Sequence, residues 1–146
     1  MAPLRILLAD DHTVVRQGLR KVLEERRDWQ VIAEAEDGRE AVRLAEQHKP
    51  DVAVIDAAMP LLNGIEATRQ ITKRAPDTRI LILSMHDDEA YVAQALGAGA
   101  TGYLLKDSAD VNLLQAVSDV SQGKPFFSPS IARLCSMGSC ARVAKA

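Results

Sequence analysis

Four apolar runs in this chain each stop at a residue able to handle a phosphoryl group or a metal ion. Ile6–Ala9 runs into Asp10-Asp11, Val52–Ile55 into Asp56, Ile80–Leu83 into Ser84, and Tyr103–Leu105 into Lys106. Three carboxylates, one hydroxyl and one ammonium are thereby candidates for a single site. Like charges in one site raise each other's pKa unless something compensates them. Magnesium does so with oxygen ligands: one or two carboxylates, several waters and phosphate oxygens. A carboxylate can also act as the nucleophile and form an aspartyl phosphate. In phosphoryl transfer the protein mainly positions groups and neutralises charge on the phosphoryl oxygens. A cation, Lys106, the Ser84 hydroxyl and backbone N–H groups after Asp56 and Ser84 suit that task.

Each residue alone has an ordinary reading. An aspartate at a strand end usually caps a helix or makes a turn, so Asp10 or Asp11 can simply cap the first helix. Ser84 alone says little, and a lone lysine such as Lys106 is most often solvated. The joint pattern carries the argument, because all four strand ends that should line the site bear complementary chemistry.

The elements behind this pattern alternate. An apolar run that ends in a polar residue reads as a buried parallel strand reaching the edge of its sheet. Ligands of open parallel sheets bind at the carboxyl ends of the strands. Strands are expected at Leu4–Ala9, Gln30–Glu36, Val52–Ile55, Arg79–Leu83 and Gly102–Leu105. Helices are expected over about Val14–Glu25, Arg39–His48, Ile65–Ala75 and Glu89–Leu96, with a last one capped by Ser108 and running to about Gln122. Val15, Leu19 and Val22 should face inward on the first helix, and Ile65, Thr68, Ile71 and Thr72 on the third. Lys49-Pro50 should end the second helix. Five strands alternating with five helices imply an α/β fold, a doubly wound parallel sheet covered on both faces. The pattern fades after Gly123-Lys124-Pro125, so one domain is expected over residues 1–125, with a linker or tail over 126–146.

Composition agrees with one globular domain. The chain has 146 residues, 47% hydrophobic and 26% charged, with a net charge of −2. No apolar stretch is long enough to span a membrane, and no signal-peptide pattern opens the chain, so a cytoplasmic location is expected. The charge is uneven. Residues 1–125 hold fifteen basic and twenty acidic side chains, a balance of −5. Such a body repels a phosphate backbone, so these residues by themselves should not bind DNA. Cys135 and Cys140 form a lone pair without a second pair or a nearby histidine, which reads as incidental thiols.

The chain resembles the receiver domains of bacterial two-component response regulators over residues 4 to about 122. The resemblance rests on "ILLADDH" (6–12), "DVAVIDAAMPLLNGIEA" (51–67), "ILILSMH" (80–86) and "GATGYLLKDS" (99–108). The wording is similar to the branch that carries a LuxR-type helix-turn-helix (the NarL type). The segment "GKPFFSPSIARL" (123–134) resembles the lead into that output domain.

The resemblance implies a flavodoxin-like (βα)5 fold with strand order 2-1-3-4-5. It implies that Asp56 is the phosphoacceptor, charged by a histidine kinase with Mg2+ (or Mn2+) present. Asp11 and Asp56 would bind the metal directly, Asp10 through water, and the backbone carbonyl of Ala58 would complete the protein ligands. Lys106 would pair with the phosphoryl group and Ser84 would turn to hydrogen-bond it. Tyr103 would be the switch aromatic, coupled to Ser84, although a half-buried ring on the last strand is its plainer reading. A homodimer formed on phosphorylation is an implied partner, and DNA only through a C-terminal domain of roughly 60 further residues. A stand-alone receiver acting by protein contacts is the alternative.

Some positions depart from the common receiver pattern. Asp107 follows Lys106 where many receivers have proline, so their cis bond is not implied here; non-proline cis bonds cost several kcal/mol. Met85 stands where alanine is common and would narrow access to the phosphoryl group. Ala58 and His86 flank the path of a hydrolytic water. Ala58 cannot orient that water, which implies slow loss of phosphate. His86 could do so or be an exposed loop residue.

Two other classes are disfavoured. An Asp-nucleophile phosphatase generally wants a second acid two residues after the nucleophile, and Asp56 is followed by Ala57-Ala58. A flavin binder would want a Gly-rich phosphate loop and stacking aromatics, and neither pattern is present. The expectation is a signalling switch that catalyses only its own phosphorylation and slow dephosphorylation.

Overall fold

The computed structural model describes residues 3–85 and 89–127, with the backbone alone at Ser108 and Asp110. Six parallel strands form one sheet in the order β2-β1-β3-β4-β5-β6. They are β1 (Leu4–Ala9), β2 (Trp29–Ala35), β3 (Val52–Asp56), β4 (Arg79–Ser84), β5 (Gly102–Leu105) and β6 (Phe126–Phe127). The helices are α1 (Thr13–Leu23), α2 (Gly38–His48), α3 (Gly64–Arg74), α4 (Glu89–Gly97) and α5 (Ala109–Ser121). A single 3-10 turn, Lys106–Ser108, leads into α5.

Successive side chains of a strand point to opposite faces, and here both faces are covered. Leu7, Ala53, Ile55, Ile80 and Ile82 pack with α2, α3 and α4. Ile6, Leu8, Val54, Leu81 and Leu83 pack with α1 and α5. This explains why β3 and β4 are almost uninterrupted apolar runs rather than alternating ones. The reversal of strand order falls between β1 and β3, so the carboxyl ends of those strands open into a crevice.

Local chemistry places the helix ends. Asp37 caps α2 by accepting from the Glu40 N–H, and Asn63 caps α3 by accepting from the Glu66 N–H. Lys49, with φ 47°, closes α2 before Pro50. Every peptide bond among the described residues is trans, Lys106-Asp107 included.

Three features differ from expectation. Val15 is exposed, whereas its neighbour Arg16 is buried, as is Leu23 at the end of α1. Leu19 and Val22 pack against the core as expected, but Arg16 turns inward in place of Val15 because its guanidinium finds acceptors at the carboxyl ends of β1 and β2. Thr72 is exposed at the end of the α3 stripe, its hydroxyl donating to the Thr68 carbonyl. The sheet also does not stop at β5. Phe126 and Phe127 pair with Gly102 and Tyr103 as a sixth strand, beyond the expected fading of the pattern at Pro125. Phe126 packs against the core of the α1/α5 face and Phe127 against the opposite core. Residues 128–146, with Cys135 and Cys140, lie outside the described residues, as does His86.

Gly64 opens α3 directly beneath the carboxyl end of β3. A Cβ there would lie 2.2 Å from the Asp56 carbonyl oxygen and 2.7 Å from Ala57 Cα. Both obstacles are backbone, so neither can give cheaply. Gly64→Ala should destabilise the fold by about 2 kcal/mol or more, read as a lower melting temperature. An unchanged melting temperature would show that α3 can slide away from β3.

Candidate functional site

Asp10 lies one residue past β1 and is fully buried; Asp56 ends β3 and is 1% exposed. Asp11 is on the loop at the mouth of the crevice, its side chain 30% exposed. Neither aspartate of the pair is spent on capping α1, whose N-cap is His12 with no side-chain cap bond. Instead Asp10 Oδ1 accepts the His12 N–H at 2.8 Å. Asp56 Oδ1 accepts the Ala58 N–H at 3.1 Å. Asp56 Oδ2 accepts from Lys106 Nζ at 2.8 Å. That ammonium also stands 3.5 Å from Asp10 Oδ2. Ser84 is buried at the end of β4.

The donor set fits a hard divalent cation. Asp10, Asp11, His12 and Asp56 each offer a ligand atom, all within 4.8 Å of one another. Asp10 Oδ2 is buried without a hydrogen bond among the described residues, with the Lys106 ammonium facing it only at 3.5 Å, a state for a carboxylate oxygen that a closer cation would improve. Among the described residues Lys106 meets two of the three carboxylates, Asp10 and Asp56, so the cluster is short of positive charge. The carboxylate oxygens can take a cation of the magnesium class.

The family description "response regulator receiver domain" matches residues 6–118. The chain belongs to that family. This receiver domain is 43% identical over 128 residues to the transcriptional regulatory protein DegU of Brevibacillus brevis, covering 88% of this chain and 54% of DegU. It is similar to a solved LuxR-family two-component response regulator from Aurantimonas sp. SI85-9A1, with TM-score 0.87 and 40% identity over 97% of both chains. It is also similar to the signal receiver domain of a response regulator, NarL, from Mycobacterium tuberculosis. That match has TM-score 0.81 and 37% identity, covering 85% of this chain and all of the other. The receiver is of the LuxR/NarL type, a signalling domain rather than a metabolic enzyme. The chain spans little more than half the length of the curated relatives it matches. Among its described residues no helix is long and apolar enough to cross a membrane.

The electrostatics of the receiver's site pull in two directions. Burial pushes the Asp56 carboxyl above the usual carboxylate range. Hydrogen bonds from Lys106 and the Ala58 N–H oppose that rise, and the charge of Asp10 adds to it. Burial alone would lower the Lys106 ammonium, but Asp56 and then Asp10 outweigh it and hold Lys106 above the usual lysine value. The pair is therefore favourable seen from the lysine and under-compensated seen from the aspartate.

Tyr103 is fully buried in the α2/α3/α4-side core, more deeply than a half-buried ring. It sits two residues before Leu105, the register partner of Ser84. Met85 is 74% exposed. It lines an apolar groove of about 410 Å3 with His12, Val15 and Lys106 beside the site. Ala58 is exposed next to Asp56.

Two residues of the site were not singled out from sequence. His12 Nδ1 lies 3.1 Å from Asp11 Oδ1 and 3.4 Å from Asp10 Oδ1. Its signal is its place directly after the Asp10-Asp11 pair. Arg16 Nη1 donates to the Asp10 carbonyl at 2.7 Å. It had no signal, because an arginine on a surface helix reads as solvated.

Proposed function

We propose that Asp56 accepts a phosphoryl group from the phosphohistidine of a histidine kinase. The P–N bond breaks as a carboxylate oxygen of Asp56 bonds to phosphorus. The observation that carries this reading is the buried Asp56 carboxylate, held at 2.8 Å by Lys106 inside a cluster with Asp10 and Asp11. Asp11, Asp56 and the Ala58 carbonyl would hold Mg2+ directly, and Asp10 through water. A bound Mg2+ supplies neutralisation of charge on the phosphoryl oxygens. Lys106 would move from the Asp56 oxygen to the phosphoryl group. The Ser84 hydroxyl, at the next strand end, would hydrogen-bond it, and Tyr103 would follow Ser84.

The domain itself would catalyse this transfer and a slow hydrolysis, with Ala58 unable to orient the attacking water. The output would be a changed surface that promotes homodimerisation in the cytoplasm. Residues 126–146 would lead from the phosphoacceptor domain toward a LuxR-type DNA-binding domain, and DNA would be contacted only through that domain. The curated transcriptional-regulator relatives, of whose length this chain spans little more than half, and the likeness to a LuxR-family response regulator support this part.

Intact mass after incubation with acetyl phosphate tests the reading. A gain of one phosphoryl group that requires Mg2+ is expected. A gain independent of Mg2+, or one mapping to a residue other than Asp56, would defeat it. Thermal melting tests the cation separately. At a hundredfold excess over its Kd, Mg2+ should stabilise the chain by about 2.7 kcal/mol. Asp11→Asn should lose most of that shift while melting normally without Mg2+. An equal shift in the variant would remove Asp11 from the ligand set.

A further inference from the structure

Every polar atom of Asp10 but one is engaged within the fold. Its N–H donates to the Ala35 carbonyl at 3.0 Å. Its carbonyl accepts from Arg16 Nη1 at 2.7 Å. Its Oδ1 accepts the His12 N–H at 2.8 Å. Oδ2 alone is left without a hydrogen bond among the described residues, and it faces the Lys106 ammonium at 3.5 Å.

Arg16 makes this arrangement rigid. It lies on α1 one turn past His12 and is 7% exposed. A guanidinium is tolerated in such a place only when its donors are met. Nε donates to Glu34 Oε1 at 3.0 Å and Nη2 reaches Glu36 Oε1 at 3.4 Å. Arg20 binds the other oxygen of Glu34. The planar fork fixes these directions together, as an ammonium could not. The peptide groups on both sides of Asp10 Cα are thereby tied to β2 and the residue after it. The N–H side is held directly by Ala35, the carbonyl side through Arg16 to Glu34 and Glu36. Holding both peptides sets the direction of the Asp10 side chain.

We propose that Arg16 is a positioning residue for the cation site: it fixes the Asp10 backbone so that Oδ2 is presented to the bound cation. This rests on reading the aspartate cluster as a Mg2+ site. Groups that orient a ligand without touching the metal typically govern 10- to 100-fold of its affinity, on the order of what is expected here.

The test is calorimetric titration of the whole chain with Mg2+, beside hydrogen exchange of the His12 amide, which reports the Asp10 carboxylate. Arg16→Gln should bind Mg2+ roughly tenfold or more weakly, with faster exchange at His12. Glu34→Gln alters a half-buried residue at the rim and should retain its fold. It should weaken Mg2+ binding about two- to fivefold by loosening the same fork. Unchanged Mg2+ affinity in Arg16→Gln, with only a lower melting temperature, would make Arg16 purely structural and overturn the proposal. Should Arg16→Gln not fold, wild-type affinity and His12 exchange in Glu34→Gln would overturn it equally. A wild-type chain that binds no Mg2+ would sink the cation reading itself, and this proposal with it.

Discussion

Asp56→Asn should gain no phosphoryl group from acetyl phosphate at any Mg2+ concentration, and without Mg2+ at neutral pH it should melt above the wild-type chain. The first effect is all-or-none, because an amide offers no nucleophilic oxyanion. The second follows from the buried carboxylate. Burial, with the charge of Asp10, holds the Asp56 carboxyl above its ordinary range. A carboxyl whose pKa is raised by folding is penalised wherever it is ionised in the fold. The penalty is complete above the folded pKa, shrinks as pH falls through it, and is gone below the ordinary unfolded value. Asparagine removes that penalty, and Lys106 keeps Asp10 as a partner at 3.5 Å. The gain should be about 1 kcal/mol at neutral pH, vanishing in acid. Melting curves across pH would show it. A variant less stable than wild type at neutral pH would mean that the Lys106 pairing outweighs the burial of Asp56.

Lys106→Met should have the opposite sign and the larger size. Removing one partner of a buried pair leaves an uncompensated charge, worth 3–5 kcal/mol in fully buried cases. The Lys106 side chain is 18% exposed, so about 2–4 kcal/mol is expected at neutral pH. Lys106 also carries a raised pKa, so its own contribution persists across neutral pH and fades only in strong alkali. In the variant the Asp56 carboxyl rises further, so it protonates earlier as pH falls. The deficit should therefore shrink toward mild acid. Saturating Mg2+ should also restore much of it, since the cation would neutralise the same carboxylates. Chemical denaturation at neutral and acidic pH, with and without Mg2+, would test both trends. A deficit that ignores pH and Mg2+ alike would show that Lys106 matters through its packed stem rather than its charge.

The sheet was legible in the sequence because its strands are buried on both faces. β1, β3, β4 and β5 are near-continuous apolar runs that end abruptly, and no helix period competes with them. The crossover rule then leaves few topologies. Asp10, Asp11, Asp56, Ser84 and Lys106 could be grouped for the same reason, each standing at or just past a strand end. What the sequence could not show is which polar side chains the fold would take inward. Val15 and Arg16 are neighbours, and local pattern favours the valine. The arginine is buried because Glu34 and Glu36, 18 and 20 residues away, meet its donors. β6 was illegible because two residues have no period. It exists because Phe126 and Phe127 find the edge of β5. Periodicity is local and can be read from one segment, whereas satisfaction of a buried charge or a strand edge depends on partners that only the tertiary structure brings near.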